Sequence, residues 1–303
     1  MRERILIFAN PVAGRGGARQ LAGTLAERLQ AEGWEIELLG DLREVGPVVR
    51  PARAAIVIGG DGSVRSVAQH LVRNQAPGEM TPLLPVPMGT ANLMGRHLGM
   101  KWTAQSLPGQ IAAALKNPTM RWLDAGTANG ELFLLMAGVG IDAQIVHELE
   151  RLRSGPITMA SYAIPAAVAL GLYDYPPLTV EVDGQTIIRD VPAMALVANV
   201  SEHGLGFPFL PKARPDDQLL DVCVLPAASR AEAISMFLDV AAGEHLEAEG
   251  VRSVSGKKIF IGGARPAPLQ LDGEAAGYTP VEIALLPRRV PFIVLGSESE
   301  GST

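Results

Sequence analysis

The sequence has few of the residues that mark disulfide-rich, zinc-dependent or nucleic-acid-binding proteins. Its 303 residues include one cysteine, so no internal disulfide can form, and Cys223 lies in an apolar run that predicts burial. The five histidines show no metal-ligand spacing, which argues against a zinc site. There is no long basic run and the net charge is −6, so nucleic acid is not an expected partner.

Several common signatures are also absent. Neither the Walker pattern GxxxxGK[ST] nor the GxSxG elbow of serine hydrolases occurs. The longest apolar stretch, residues 157–173, is interrupted by Pro165 and predicts a core or surface helix rather than a membrane span. The first apolar run is only as long as a strand, too short for a secretory signal, so we expect a cytoplasmic protein.

The residues that are present predict two domains. A hydrophobic content of 48% and a mean hydropathy of +0.20 are typical of a well-packed globular protein. Up to residue 122, strand patterns alternate with helix patterns, which predicts an α/β domain with a parallel, Rossmann-like sheet. Beyond it, Asn-Gly and Asp-Gly hairpin signals join short strand patterns, which predicts a mostly antiparallel β-sandwich. The predicted division is 1–122, 123–296 and a disordered polar tail at 297–303.

Three glycine-bearing loops follow predicted strands of the first domain, at residues 10–18, 59–63 and 87–92. In a parallel sheet the carboxyl ends of the strands meet at one edge, so we expect these loops to lie together. Glycine lets backbone N–H groups approach a ligand, and the helix after each loop adds unpaired N–H groups. The pattern favours a phosphate-binding site, although glycine at a strand end can also serve only the turn.

The second loop contains an acid, Asp61. A carboxylate beside a polyphosphate would repel it unless a divalent cation lay between them, so one hypothesis is that Asp61 helps to hold Mg²⁺. The alternative is that Asp61 serves a turn or caps a helix. A dinucleotide fold is a further possibility, since Gly14–Arg19 approaches the GxGxxG pattern, but Arg19 stands where a small residue is needed.

Four motifs occur together with the NPxxG of residues 10–14: GGDGS at 59–63, PMGTANLMGR at 87–96, AGVGIDA at 137–143 and LQLDGE at 269–274. In this order and spacing they resemble the bacterial soluble lipid kinases of the diacylglycerol kinase catalytic-domain group, which includes sphingosine and ceramide kinases. The resemblance extends from about Arg4 to Val294. GGDG alone also occurs in NAD kinases and phosphofructokinases, which share the N-terminal architecture.

The resemblance implies an ATP site, because family members bind ATP between a Rossmann-like domain and a C-terminal β domain. By motif position, Asn10 and Gly14 would contact the nucleotide, Thr90 would hydrogen-bond it, and Asn92 would support the third loop. The residues implied to hold the phosphates are Gly59, Gly60, Asp61, Gly62 and Ser63.

The resemblance also implies where the chemistry occurs. Phosphoryl transfer to an alcohol needs a proton acceptor and a cation, and in relatives the DGE motif supplies the acceptor. This implies Glu274 as the base and Asp272 as its electrostatic or metal-network partner, or the reverse. Two acids two positions apart on a strand would share a face, whereas Asp-Gly is equally a hairpin signal. Asp124 matches a supporting acidic position at the domain junction.

A structural Mg²⁺ is implied within residues 211–222. Relatives hold this ion through one carboxylate and two backbone carbonyls, which by position belong to Asp217, Arg214 and Leu219. Gln218 replaces the usual glycine, so the loop geometry is open. From the residues alone, acids before a strand also fit a solvated loop.

The predicted function is an ATP- and Mg²⁺-dependent kinase that phosphorylates the hydroxyl of a lipid such as diacylglycerol or a sphingoid or ceramide-like alcohol. The alternatives are an NAD kinase-like enzyme and a non-catalytic nucleotide- or lipid-binding protein of the same fold. A lipid acceptor implies transient, peripheral contact with a membrane surface during turnover, and a homodimer is left open. Phe207 and Phe209 are candidates for either acyl-chain contact or the core.

Overall fold

The computed structural model describes residues 3–11, 13–40, 42, 46–152, 159–203 and 207–295. Its strands in chain order are β1 (Arg4–Ala9), β2 (Glu35–Leu39), β3 (Ala54–Gly59), β4 (Leu83–Pro87), β5 (Thr119–Leu123), β6 (Gly126–Ala128), β7 (Glu131–Phe133), β8 (Met136–Val139), β9 (Pro177–Val182), β10 (Gln185–Ala198), β11 (Glu202–His203), β12 (Phe207–Pro208), β13 (Leu220–Pro226), β14 (Arg252–Gly256), β15 (Lys258–Gly262), β16 (Pro268–Leu271), β17 (Glu274–Tyr278), β18 (Val281–Leu285) and β19 (Val290–Val294). Its α-helices are α1 (Gly17–Ala31), α2 (Asp61–Asn74), α3 (Leu93–His97), α4 (Leu107–Lys116), α5 (Ile141–Leu152), α6 (Ala163–Leu172) and α7 (Arg230–Ala242). Short 3₁₀ helices occur at Ala13–Gly16, Met159–Tyr162 and His245–Glu247.

The chain divides into two compact units. Unit 1 contains the residues up to Leu123 and those from Arg288 onwards, and unit 2 is Asp124–Pro287. The sequence predicted that the second domain extends to residue 296. In the structure the chain re-enters unit 1 at Arg288, because β19 pairs with β4 and β5 of the first sheet. The predicted disordered tail, 297–303, lies outside the described residues.

Unit 1 is built on a six-stranded sheet in the order β2-β1-β3-β4-β19-β5. Strands β1 to β4 are mutually parallel, which confirms the predicted Rossmann-like α/β domain, and only β5 runs antiparallel to its neighbour. Every residue of β3 is buried, as expected of a central parallel strand covered on both faces. Because β1, β3 and β4 are adjacent and parallel, the three glycine loops lie at one edge of this sheet.

Unit 2 is an antiparallel β-sandwich, as predicted. The 14-residue strand β10 belongs to both layers: its first part pairs with β9, and its second part pairs with β8 and β13. Register shifts on both sides of Ile188 make the pairing with β9 irregular, and β10 passes to the second layer after Pro192. The two layers enclose one apolar core, to which β9 contributes Val180, β13 contributes Val222 and β15 contributes Ile261.

Local signals in unit 2 predicted its turns correctly. Asn129-Gly130 and Asp183-Gly184 both have positive φ angles, the conformation of two-residue hairpin turns, and each joins two paired strands. Helix α7 is capped at its N-terminus by Ser229, whose Oγ accepts from the N–H of Glu232 at 3.3 Å. Cys223 is buried as predicted, and burial raises the pKa of its thiol to about 12.

The described part of the apolar stretch 157–173 forms the 3₁₀ helix Met159–Tyr162 and helix α6. Among the described residues, no helix combines the length and apolar character needed to cross a membrane. Phe209 belongs to the core, because it is 2% exposed and its ring lies 4.9 Å from that of His245. The side chain of Phe207 lies outside the described part of the chain.

Candidate functional site

The second and third glycine loops pack backbone to backbone. A Cβ on Gly89 would lie 2.6 Å from the Cα of Gly60, and a Cβ on Gly60 would lie 3.2 Å from the Cα of Gly89. The N–H of Met88 donates to the carbonyl of Gly59 at 2.8 Å beside this contact. Glycine at position 89 is therefore required by the packing of the loops themselves, whether or not a ligand approaches them, and a side chain at position 60 would be tight against Gly89.

The first loop is joined to the other two. Asn10 donates from Nδ2 to the Oγ of Ser63 at 3.0 Å, which links the first loop to the second. Gly14 has a φ of +57°, and a Cβ there would overlap the Cε of Met88. A Cβ on Gly59 would overlap the side chain of Ser63. The three loops thus form one packed cluster.

Asp61 connects the second loop to the helix that follows the third. Its Oδ2 accepts from the N–H of Leu93 at 3.0 Å, and its Oδ1 accepts from the N–H of Met94 at 2.9 Å. Burial raises the pKa of Asp61, and the backbone hydrogen bonds oppose that shift. The geometry matches the capping alternative, although the capped helix is α3 and not α2, which contains Asp61.

The third loop is closed by its own asparagine. Asn92 has a φ of +50°, accepts from the N–H of Gly89 at 2.7 Å and donates to the carbonyl of Gly89 at 2.8 Å. Thr90 lies exposed between these two residues. In the second loop, the carbonyl of Gly62 accepts from Ser66 Oγ at 2.8 Å in the first turn of α2.

Two helices begin at this edge of the sheet with glycine N-caps, Gly16 for α1 and Gly60 for α2. Glycine has no side chain that can accept from the first-turn N–H groups, so these donors keep the partial positive charge of a helix N-terminus. Gly16 has a φ of +91°, and a Cβ there would meet no atom within 4 Å. The edge of unit 1 therefore offers backbone donors suited to an anion.

Replacing Gly89 by alanine is expected to lower the free energy of unfolding by about 1–3 kcal/mol, since the new Cβ must displace backbone at Gly60. The matched control is Gly23→Ala in the interior of α1, where the Cβ meets no atom within 4 Å and we expect a gain of about 0.5–1 kcal/mol. Urea unfolding followed by circular dichroism measures both variants. Equal stability of the Gly89 and Gly23 variants would contradict the loop packing.

In unit 2, the DGE motif forms a hairpin. Strand β16 ends at Leu271, β17 begins at Glu274, and Asp272 and Gly273 occupy the turn with φ angles of +51° and +82°. The expectation that Asp272 and Glu274 share one face of a strand is therefore wrong. Left-handed backbone at both turn residues places Asp272 outside the alternating pattern of the strands.

The two acids of the hairpin have different surroundings. Asp272 accepts three backbone hydrogen bonds at 2.8–2.9 Å, Oδ2 from Leu134 and Oδ1 from Leu135 and Met136. These bonds fasten the turn to the segment that leads into β8. Glu274 is exposed at the first position of β17. Of the two carboxylates, that of Glu274 is the one presented at the surface of unit 2.

Asp124 is buried at 2% exposure and organises the loop before β13. Its Oδ2 accepts from the N–H of Gln218 at 2.6 Å, and its own N–H donates to the carbonyl of Pro215 at 2.6 Å. Its carbonyl accepts at 2.7 Å from the Nδ2 of Asn199, which also donates to the carbonyl of Leu134 at 2.8 Å. Asn199 therefore links Asp124 to the segment that holds Asp272.

Asn199 was not singled out from the sequence. The one signal in the sequence is a polar amide directly after the apolar end of strand β10. In the structure this residue is 1% exposed. A buried amide must find partners, so such a position marks a polar network. Its spacing from Asp124 and Leu134 gives no hint of which groups it joins.

The loop implied to hold a structural Mg²⁺ keeps a glycine-like backbone. Gln218 has a φ of +64°, so it adopts the left-handed conformation despite its side chain. Asp217 is exposed and its Oδ1 accepts from the N–H of Leu219 at 3.0 Å, while Arg214 pairs with Asp216 at 3.4 Å. In the described ranges no group of three or more His, Cys, Asp or Glu side chains could hold a metal, so an ion here would depend on backbone carbonyls.

Asp221, in the strand after this loop, lies close enough to Asp217 to feel its charge. The pKa of Asp221 is raised first by burial and further by the charge of Asp217, and a hydrogen bond from Ser255 at 2.7 Å opposes the shift. A cation between or beside these two carboxylates would offset their repulsion.

Comparison with known proteins agrees with this architecture. Residues 4–121 match the diacylglycerol kinase catalytic domain, and residues 136–294 match the YegS C-terminal NAD kinase beta sandwich-like domain. The chain is 24% identical to the diacylglycerol kinase of Bacillus subtilis, over 98% of both proteins. It is 31% identical to a Pseudomonas aeruginosa protein named "Probable lipid kinase YegS-like", over 62% of this chain and 60% of that one.

A solved structure of a diacylglycerol kinase from Bacillus anthracis has the same fold, with a TM-score of 0.71 at 23% identity, covering 96% of this chain and 97% of that chain. The chain therefore belongs to the diacylglycerol kinase catalytic-domain family of lipid kinases, with the YegS type of C-terminal domain. Family membership confirms the predicted enzyme class, a phosphotransferase with an alcohol group as acceptor.

Proposed function

We propose that the protein transfers the γ-phosphate of ATP to the hydroxyl of a membrane lipid, with diacylglycerol as the first acceptor to test. The observation that carries the proposal is the arrangement of the two acids in the DGE hairpin of a chain that belongs to a lipid kinase family. Three amide donors fix Asp272 in the turn, and the next acid, Glu274, is left exposed at the start of a strand.

In the proposed reaction Glu274 accepts the proton of the lipid hydroxyl. The hydroxyl oxygen forms a bond to the γ-phosphorus, the bond from that phosphorus to the β–γ bridging oxygen breaks, and ADP leaves. Backbone N–H groups at the starts of α1 and α2, with Thr90 and Asn10, are proposed to bind the nucleotide in unit 1. Asp61 and Asn92 are positioning residues, because their side chains shape the third loop.

Mg²⁺, when bound, would spread the charge of the phosphates. Asp217, with the carbonyls of Arg214 and Leu219, is the proposed holder of a structural ion, and the neighbouring charge of Asp221 supports a cation there. Asp124 would set the shape of that loop through Gln218.

The test is an acceptor panel with γ-labelled ATP and Mg²⁺, read by mass spectrometry. The purified protein is offered diacylglycerol, sphingosine, ceramide and NAD. Label on a lipid alcohol supports the proposal and names the acceptor, and removal of divalent cations with EDTA is expected to abolish it. Label on NAD alone, or ATP binding without turnover on any acceptor, would overturn the proposal in favour of an NAD kinase-like enzyme or a non-catalytic binding protein.

A further inference from the structure

Helix α5 contacts the DGE hairpin through two buried polar side chains. Asp142 lies in the first turn of α5 and is 9% exposed, and Gln270 lies in β16 and is 1% exposed. The Oδ2 of Asp142 accepts from the Nε2 of Gln270 at 3.1 Å. The Oε1 of Gln270 accepts from the N–H of Gly273 at 2.8 Å. This chain of hydrogen bonds therefore ends at the residue between Asp272 and Glu274.

The partners define the orientation of the Gln270 amide. The N–H of Gly273 needs an acceptor, so the amide oxygen must face the turn, and the amide nitrogen must then face Asp142. A carboxylate can only accept, so Asp142 permits this orientation and excludes the reversed one. Asparagine at position 142 can still accept from Gln270 through its Oδ1, so Asp142→Asn removes the charge from this contact while Gly273 keeps the direction of the amide. Glutamate at position 270 is the disruptive change, because it sets a second carboxylate against Asp142.

Neighbouring residues shape the space for this pair. Gly138 of β8 lies against it, because a Cβ there would lie 2.7 Å from the Nε2 of Gln270 and overlap the Oδ2 of Asp142. One turn and a half further along α5, the Nε2 of His147 lies 2.8 Å from the carbonyl of Leu269. Helix α5 therefore contacts two successive residues of β16, Leu269 and Gln270, which are separated from the DGE turn by Leu271 alone.

We propose that Asp142 and Gln270 are positioning residues for the phosphoryl transfer, because they set the turn that presents Glu274. The inference rests on the proposed function, in which Glu274 is the base. A base must lie within hydrogen-bond reach of the proton that it takes, and a displacement of about 1 Å costs up to about 100-fold in rate. The pair acts on the rate through the hairpin and contacts no substrate.

The test exchanges the two functional groups. Asp142→Asn and Gln270→Glu are made singly and together, and kcat and the KM for ATP are measured with the lipid acceptor. Gln270→Glu is expected to lower kcat about 10- to 100-fold with little change in KM, and Asp142→Asn, which keeps an acceptor for the Gln270 amide, is expected to lower kcat less. The double variant again offers one amide to one carboxylate, with the amide now on α5 and the carboxylate still accepting from Gly273, so most of kcat should return.

The control is Glu148→Gln on the same helix, because Glu148 is as buried as Asp142 but contacts Gln144 and Arg151 and not the hairpin. It should keep the kcat of the unchanged protein. Hydrogen exchange at the amide of Gly273 gives a second readout, with protection reduced in Gln270→Glu, where repulsion from Asp142 displaces the side chain, and regained in the double variant. Should Gln270→Glu fail to fold, Gln270→Ala, which removes the acceptor of the Gly273 N–H, decides through the same two measurements.

The outcomes separate this inference from the proposed function. If Glu274→Gln leaves kcat unchanged but the exchange pattern at Gly273 is as expected, the base is wrong and the hydrogen-bonded pair is right. If Gln270→Glu folds and keeps both kcat and the protection of Gly273, or if the double variant recovers neither, the positioning role is overturned.

Discussion

Replacing Glu274 by glutamine is expected to lower kcat for lipid phosphorylation by about 10²- to 10⁴-fold, the range for loss of a general base. Glutamine keeps the size of the side chain and removes its ability to take up a proton. Because Glu274 is exposed at the start of β17, the fold and the affinity for ATP should be unchanged. Turnover is measured with labelled ATP, and ATP affinity by calorimetry.

Glu282→Gln is the matched control, since Glu282 is also an exposed glutamate on a strand of unit 2 but lies outside the hairpin. It should keep full activity. A Glu274→Gln enzyme with the turnover of the unchanged protein would exclude Glu274 as the base and, with it, the proposed mechanism. A loss of ATP affinity equal to the loss of kcat would instead assign Glu274 to nucleotide binding.

We propose Glu274 rather than Asp272 as the base, a choice that the sequence left open. Both Asp272 oxygens already accept backbone N–H groups, and three amides hold the side chain against the start of β8. A base must turn towards its substrate, and Asp272 could do so only by releasing these bonds. Asp272 is better suited to holding the turn than to taking a proton.

Much of the fold could be predicted because its signals are local. The alternation of strands and helices up to residue 122 predicted the parallel sheet, and the Asn-Gly and Asp-Gly pairs predicted two hairpins of the sandwich. The return of β19 to the first sheet could not be predicted, since an apolar strand pattern does not show which strands it will pair with. For the same reason, the sequence of β10 did not indicate that this strand pairs in both layers of the sandwich.

The candidate site shows the same limit. Glycines 59, 60 and 89 indicated close approach to backbone, but the sequence could not show that the approaching groups are Ser63 and each other. Asp61 carried a capping signal, yet the helix that it caps begins 32 residues later. Contacts between loops from separate strands depend on the assembled sheet, so residue types alone predict the chemistry available and not its partners.

The largest effect on stability is expected from Asp272→Ala. The change leaves three N–H groups, of Leu134, Leu135 and Met136, without the carboxylate that they share. Hydrogen bonds to a charged group contribute about 1.5–3 kcal/mol each, and partial access of water offsets some of the loss, so we expect a decrease of about 3–4 kcal/mol in the free energy of unfolding. The free energy of unfolding of Asp272→Asn should lie between those of the unchanged protein and Asp272→Ala, because one side-chain oxygen remains to accept hydrogen bonds.

Asp174→Ala is the control for removal of an aspartate, because Asp174 forms an exposed ion pair with Arg265 and such pairs contribute about 0–1 kcal/mol. Urea unfolding followed by circular dichroism, with hydrogen exchange over residues 134–136, measures the change where it arises. Asp272→Ala should also lose activity, because Glu274 is presented by the same turn. If the alanine variant unfolds like the control yet is inactive, Asp272 acts directly in the reaction, and its three amide contacts are not what holds the hairpin.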